Sequence, residues 1–150
     1  MTKDDMVALA KQKASAYQLD ATLVCAVVEQ ESSWNPWSVR YEPGFMLKYV
    51  SPLYMDGRFS PTEAYCRSMS WGLMQIMGQT ARELGFTLAT LAELCDPPFG
   101  LEYGCRKLAE CFKVANGSRI AALEKYNGGA NATYAAEVMN RVNNYRTVSV

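Results

Sequence analysis

The sequence predicts a mainly α protein that forms one domain over residues 1–150. Apolar residues recur at helical spacing through most of the chain, several helix-start signals precede these runs, and convincing two-residue alternation is absent. A chain of 150 residues, 49% hydrophobic and 20% charged, is long enough to bury a core. No repeat or low-complexity linker divides the sequence into parts.

The first informative helix carries an acidic residue on its apolar face. Asp20 can cap a helix that begins at Ala21. Glu31 follows Val24 by seven positions and therefore falls on the stripe that faces the core. Pro36 disfavours helical geometry at the residue before it, so the helix ends there. The sequence therefore places Glu31 in the last turn of a buried helix.

Two further helix starts lie in the middle of the chain. Ser60 can act as a cap, with Pro61 at the first helical position and Glu63 three residues after the cap. A longer helix is expected from Asp96-Pro97, and Asn116-Gly117 ends it.

Two short helices complete the chain. Ser118 is expected to cap a helix through about Tyr126, and Asn131 is expected to cap the last one. The apolar stripe of this last helix consists of Tyr134, Val138, Val142 and Tyr145. Between residues 37 and 59, proline, glycine and aromatic residues alternate without a helical period, which predicts an irregular loop or a short hairpin.

Charge and hydropathy exclude two classes of partner. The 15 basic and 15 acidic residues balance, so no overall positive field attracts nucleic acid. The longest apolar stretch, Leu23 to Val28, is too short to cross a bilayer, and no membrane insertion is expected. The N-terminus enters an amphipathic helical pattern and shows no signal peptide, which predicts synthesis in the cytoplasm.

The titratable residues limit the chemistry. The chain has no histidine, which excludes imidazole-based acid-base catalysis and leaves carboxylates, tyrosines and thiols. Its five cysteines show no Cys-x-x-Cys spacing, so neither a metal site nor a cofactor is expected. The thiols are either all reduced and mostly buried, or one bridge forms among Cys95, Cys105 and Cys111.

Three motifs in order point to a function. Glu31-Ser32 is followed by Trp34-Asn35-Pro36; Gly72-Leu73-Met74-Gln75 comes next; and Tyr126-Asn127 lies near the end. Together they resemble the lysozyme-like lytic transglycosylases, which cleave bacterial peptidoglycan. The resemblance covers roughly residues 20–145 and is weakest between residues 38 and 69. It implies a lysozyme-like fold.

This resemblance assigns the acid and base of the reaction to Glu31. Glycoside cleavage needs a carboxyl group that stays protonated near neutral pH, and burial among apolar neighbours raises a carboxyl pKa. In the family, the Glu protonates the leaving oxygen and then takes a proton from the muramic acid 6-hydroxyl, which closes a 1,6-anhydro ring. The expected substrate is the MurNAc-GlcNAc β-1,4 bond of peptidoglycan glycan strands.

The resemblance also implies the residues that bind the sugar. Tyr126 matches a tyrosine that reaches toward the catalytic Glu. The other matched or stacking positions are Ser32, Met74, Gln75, Asn127, Tyr145, Trp34, Trp37 and Trp71. The protein is expected to act as a monomer. A wall-cleaving fold without an export signal resembles a bacteriophage lysin, which acts on the wall or periplasm after release.

Two alternative functions remain open. The segment between Glu31 and Gly72 is longer than in the shorter family members and carries Glu42 and Asp56. Either carboxylate could activate water, which would make the protein a hydrolytic lysozyme, or muramidase. A non-catalytic wall-binding module is the third possibility, but it predicts a missing acid, whereas Glu31 is present.

Overall fold

Helices joined to one small sheet make up the fold, seen in a computed structural model that describes residues 1–146. The helices are α1 (Lys3–Ala16), α2 (Ala21–Ser32), α3 (Pro43–Phe45), α4 (Ser51–Met55), α5 (Pro61–Arg67), α6 (Gly78–Glu83), α7 (Pro97–Val114), α8 (Arg119–Asn127) and α9 (Tyr134–Arg141). A π-helical turn spans Met46–Val50, and 3₁₀ turns span Leu91–Cys95 and Val142–Tyr145. The strands are β1 (Val39–Tyr41), β2 (Met69–Trp71) and β3 (Ile76–Met77). The predicted mainly α class is confirmed.

Helix α2 lies in the centre of the main core. All its residues from Leu23 to Val28 are fully buried; α1, α9 and the 3₁₀ turn Val142–Tyr145 pack against it, and α7 contributes to the same core. Asp20 caps it as predicted, accepting from the backbone N–H groups of Thr22 and Leu23. The helix ends at Ser32, before the position that Pro36 predicts, because the next residue turns into the left-handed conformation. Glu31 nevertheless lies in the last turn, as expected.

The downstream caps follow the sequence signals with two differences. Ser60 accepts from Glu63 N–H at 3.1 Å, and Ser118 accepts from Ala121 N–H at 3.3 Å. Helix α7 starts at Pro97 as predicted, although Asp96 forms no side-chain capping hydrogen bond within the described residues. Asn131 closes the turn before α9, accepting from Thr133 N–H at 2.9 Å, so it lies outside the helix that it was expected to cap.

The sheet is antiparallel, with strand order β1-β2-β3. Arg40 pairs with Ser70, and Ser70 pairs with Met77, so these three side chains share one face. The neighbouring pair, Trp71 and Ile76, lies on the opposite face and is buried in a second apolar cluster. One face of the sheet is thereby left to line a cleft.

The prediction of an irregular loop or short hairpin between residues 37 and 59 is wrong. Helical turns run from Pro43 to Met55, and β1 pairs with β2, outside the segment. Only Val50 is buried in this segment, all of which lies in the described part of the chain. A helix that buries one residue shows no apolar stripe, which is why the spacing did not predict it.

The five cysteines, all within the described residues, are free thiols, so the bridge considered among Cys95, Cys105 and Cys111 is wrong. Burial raises the pKa of the Cys105 thiol to about 12. Among residues 1–146, no group of three or more histidine, cysteine, aspartate or glutamate side chains could hold a metal ion. None of the described helices is long and apolar enough to cross a membrane.

Candidate active site

A cleft of about 520 Å³ opens between the sheet and the C-terminal helices, with Glu31 in its lining. The sheet contributes Arg40 and Ser70, from the face described above. Helices α7 and α8 contribute Lys107 and Tyr126 from the other side. The cleft therefore collects residues from all three sequence motifs at one place.

Glu31 is held between apolar packing and the cleft. The last turn of α2 presents it beyond the fully buried Val27 and Val28, and its own side chain is partly buried. Burial is the largest influence on this carboxyl and raises its pKa above the ordinary value of 4.5. A hydrogen bond from Tyr134 and the charges of Lys107 and Arg40 oppose this rise without cancelling it. The site thus shifts the Glu31 carboxyl toward its protonated form.

Tyr134 is the direct partner of Glu31, which the sequence did not reveal. Its hydroxyl donates to Glu31 Oε1 at 2.6 Å from the first turn of α9. The tyrosine is 3% exposed, and burial raises its pKa far above the ordinary range, so the phenol stays a neutral donor. The sequence placed Tyr134 on the apolar stripe of the last helix. Glu31 lies on the apolar stripe of α2, and a buried acid that needs a hydrogen-bond donor was the signal that could have indicated this contact.

Tyr126 lies in the cleft lining but has a different partner from the expected one. Its buried hydroxyl donates to the Met74 carbonyl at 2.7 Å, and within the described residues it forms no hydrogen bond with Glu31. Met74 itself is fully buried and packs against Gly104 of α7, so its side chain belongs to the core. Tyr126 and Met74 thus join α8 to the loop between β2 and β3.

Gln75 lines the cleft and stabilises that same loop. Its amide nitrogen donates to the carbonyls of Ser38 and Gly72, both at 2.9 Å, and its oxygen accepts from the Ser70 hydroxyl at 2.8 Å. Gln75 also has a left-handed backbone with φ of 47°. These contacts fix the turn between β2 and β3, so Gln75 positions the wall of the cleft.

The remaining predicted sugar-binding residues are divided between the cleft lining and positions outside it. Asn127 lines the cleft; in the amide orientation that satisfies its neighbours, its oxygen accepts from Asn131 N–H at 2.8 Å. The Ser32 hydroxyl donates to the carbonyl of Leu73 at 2.9 Å and braces the end of α2. Tyr145 lies outside the cleft lining, and its hydroxyl accepts from Trp34 Nε1–H at 2.7 Å.

The two candidate second carboxylates have different positions. Glu42 lines the cleft and forms an ion pair with Arg40, with 2.5 Å between Oε1 and Nε. Asp56 lies outside the cleft lining, with 62% of its side chain exposed, and pairs with Arg58 at 3.4 Å. The structure adds Glu83 from α6 to the lining, a carboxylate that no sequence signal indicated.

Aromatic side chains form part of the cleft wall. Phe45 and Tyr49, from the helical turns after β1, line it with ring centroids 4.8 Å apart. Of the tryptophans considered for sugar stacking, Trp34 and Trp71 are buried, whereas Trp37 is 75% exposed and outside the cleft lining. The segment after β1 therefore supplies the apolar rings that the tryptophans were expected to supply.

Comparison with known protein families gives one match, which covers almost the whole chain. The family described as the transglycosylase SLT domain matches residues 8–147. Searches of curated proteins and of solved structures gave no match. The matched range contains the cleft and every residue assigned to it above.

Proposed function

The chain belongs to the transglycosylase SLT family, whose members are lytic transglycosylases that cleave the glycosidic bonds of peptidoglycan, and we propose that Glu31 is its single acid and base. The proposed reaction cleaves the MurNAc-GlcNAc β-1,4 bond and leaves 1,6-anhydroMurNAc ends. The observation that carries this proposal is the partly buried carboxyl of Glu31 in the cleft, with its pKa raised by burial.

The hydrogen bond from Tyr134 supports different roles for the two carboxyl oxygens of Glu31. Oε1 accepts from the phenol at 2.6 Å, so Oε2 is the oxygen that can carry the acidic proton. A carboxyl held in this way keeps one orientation, which is what a proton donor requires of its geometry. Tyr134 is a positioning residue in this scheme.

The reaction has two steps that balance without water. Glu31 gives its proton to the bridging oxygen, the bond from C1 to that oxygen breaks, and the electron pair leaves with the oxygen. The cation at C1 is stabilised by the substrate's own N-acetyl group, as the family resemblance implies. The Glu31 carboxylate then takes the proton of the 6-hydroxyl while O6 bonds to C1. No second carboxylate takes part.

The segment after β1 is proposed to be one wall of the glycan cleft. Phe45 and Tyr49 offer ring faces, and Arg40 offers a charged donor on the adjoining sheet. The expected occupant is a glycan strand of peptidoglycan. Because every group in the scheme comes from one chain, we propose that a monomer covering residues 1–150 is sufficient.

A hydrolytic reaction is the second candidate, because Glu42 lines the same cleft as Glu31. Its ion pair with Arg40 argues against a role as the base that activates water, since Arg40 Nε already occupies Oε1 at 2.5 Å. Asp56 has no such position in the cleft lining. Glu31 also argues against a wall-binding module without activity, because such a module does not need an acid in its cleft.

The experiment that tests the proposal compares purified peptidoglycan digested by the wild type and by Glu31→Gln. Loss of turbidity measures cleavage, and mass spectrometry of the released muropeptides separates anhydro ends from reducing ends, which differ by one water. We expect anhydro ends and near-complete loss of activity in the variant. Activity retained in a folded Glu31→Gln would refute the assignment of Glu31.

A further inference from the structure

A lysine in the cleft is not used by the reaction as described above. Lys107 comes from α7 and lies in the same lining as Glu31. Its ammonium donates to the Tyr126 carbonyl at 2.7 Å and lies 4.2 Å from the centroid of the Tyr126 ring. Within residues 1–146 the bond to the Tyr126 carbonyl is the one hydrogen bond of this ammonium, although an ammonium has three donors. Tyr126 thus anchors the ammonium within the cleft lining.

We propose that Lys107 is a positioning residue whose anchored ammonium stabilises the carboxylate that Glu31 becomes after giving its proton to the glycosidic oxygen. The inference rests on the proposed role of Glu31. When the proton moves to the leaving oxygen, a negative charge appears on Glu31 in a partly desolvated cleft. A fixed positive charge in the same cleft makes that step easier, because charges interact more strongly where water is scarce.

The other groups around Glu31 leave Lys107 as its main source of positive charge. Tyr134 of α9 and Tyr126 of α8 are neutral phenols, since burial raises the pKa of both. Arg40 of β1 is 76% exposed in its side chain and is paired with Glu42. Two positive charges lower the Glu31 pKa, those of Lys107 and Arg40, and Lys107 has the larger effect.

The surroundings of Lys107 itself agree with this role. Burial lowers the pKa of its ammonium, and the Glu31 carboxylate and Cys111 act in the opposite direction. Cys111 lies one turn further along α7, and burial raises the pKa of its thiol, so it stays neutral. Tyr126 therefore holds the ammonium in place, and the Glu31 carboxylate is the charged group that favours its protonated form.

The test measures the Glu31 titration directly, by carbon NMR of its carboxyl in the whole protein. Lys107→Met removes the charge and keeps the apolar stem; Lys107→Gln also keeps a donor for the Tyr126 carbonyl. We expect both to raise the Glu31 midpoint by about one pH unit, the low end of the effect of a nearby opposite charge. The fall in kcat/KM at high pH should move up by the same amount.

Two controls make the outcome decisive. Lys107→Arg keeps the charge and should restore the midpoint, and Lys125→Met removes another lysine of the cleft lining, an exposed one, and should leave the midpoint unchanged. A midpoint within about 0.2 units of wild type in both uncharged variants would overturn the inference, being far below the expected coupling. If the midpoint shifts but Glu31→Gln stays active, the coupling stands and the proposed function fails.

Discussion

The hydroxyl of Tyr134 donates to Glu31 Oε1 at 2.6 Å, joining residues 103 positions apart in the sequence. This bond selects one carboxyl oxygen for proton transfer. Tyr134→Phe should therefore reduce kcat by roughly 10² with little change in KM, because small errors in the placement of a donor have effects of this size. Steady-state digestion of peptidoglycan measures both constants. A variant with wild-type kcat would show that the bond has no catalytic role.

Tyr126→Phe is the matched control for Tyr134→Phe. Both changes remove one hydroxyl from a buried tyrosine and keep the ring, but the Tyr126 hydroxyl donates to the Met74 carbonyl instead of Glu31. Leaving that buried carbonyl without a donor should lower the free energy of unfolding by about 1–3 kcal/mol. Urea unfolding should therefore rank Tyr126→Phe as the less stable variant, and kcat should rank it as the more active one. The opposite ranking would contradict both assignments.

The stability of the protein should depend on pH through Glu31. Burial raises the Glu31 pKa above 4.5 in the folded state. A raised pKa means that its contribution to stability is complete below about 4.5 and is lost as the pH rises through the folded value. The free energy of unfolding of Glu31→Gln, measured relative to wild type, should therefore be higher at pH 7.5 than at pH 4. Thermal unfolding of both proteins at the two pH values measures this difference.

Glu29 provides a control of opposite sign two residues away. Burial acts to raise its pKa, but hydrogen bonds from Tyr145 and Asn144 and the charge of Arg141 outweigh it, so the pKa is lowered. Its contribution is present above the ordinary carboxyl pKa and is lost as the pH falls. Glu29→Gln should thus lose stability at pH 7.5 compared with pH 4. Equal pH dependence in the two variants would show that burial of Glu31 is not the cause.

The helices that hold these residues were predictable because their signals are local. The caps at Asp20, Ser60 and Ser118 act within three residues, and all three form the predicted bonds. The position of Glu31 in the last turn of α2 follows from a stripe and a stop signal within one helix. Motif order then pointed to the family that the comparison found.

The contacts between distant elements were not predictable. The apolar spacing of α9 places Tyr134 on a buried face but does not show which acceptor its hydroxyl meets. The turns from Pro43 to Met55 bury one side chain, so their sequence shows no amphipathic period. The strands have two or three residues each, too few for alternation to be detected.

Gly104 of α7 should resist substitution because Met74 packs directly against it. A Cβ on Gly104 would lie 2.4 Å from Met74 Sδ and 2.5 Å from Met74 Cβ. Met74 is fully buried. Gly104→Ala should therefore destabilise the protein by about 1–3 kcal/mol through overpacking, although alanine is intrinsically better than glycine in a helix by about 1 kcal/mol.

Urea unfolding measures this effect, with Gly44→Ala as its control. Gly44 also lies in a helix, but a Cβ there meets nothing within 4 Å, so its free energy of unfolding should change by less than about 0.5 kcal/mol. Since Met74 also accepts the Tyr126 hydrogen bond, Gly104→Ala should lose activity as well as stability. A Gly104→Ala protein as stable as wild type would show that α7 and the loop can separate without penalty.

The products distinguish the transglycosylase from the hydrolase, and Glu42 is the residue on which the difference depends. Glu42 and Asp56 both carry a carboxylate bonded to an arginine, but only Glu42 of the two lies in the described cleft lining. If the reaction needs one carboxyl, Glu31→Gln should lose roughly 10² to 10⁴ in rate, the usual contribution of a general acid or base. The rate of Glu42→Gln should stay within about tenfold of wild type, since the change removes the ion pair with Arg40 but no group that transfers a proton. Asp56→Asn should match wild type, and all active variants should release anhydro ends. Reducing muramic acid ends, together with a loss in Glu42→Gln as large as that in Glu31→Gln, would instead establish water activation by Glu42 and a hydrolytic mechanism.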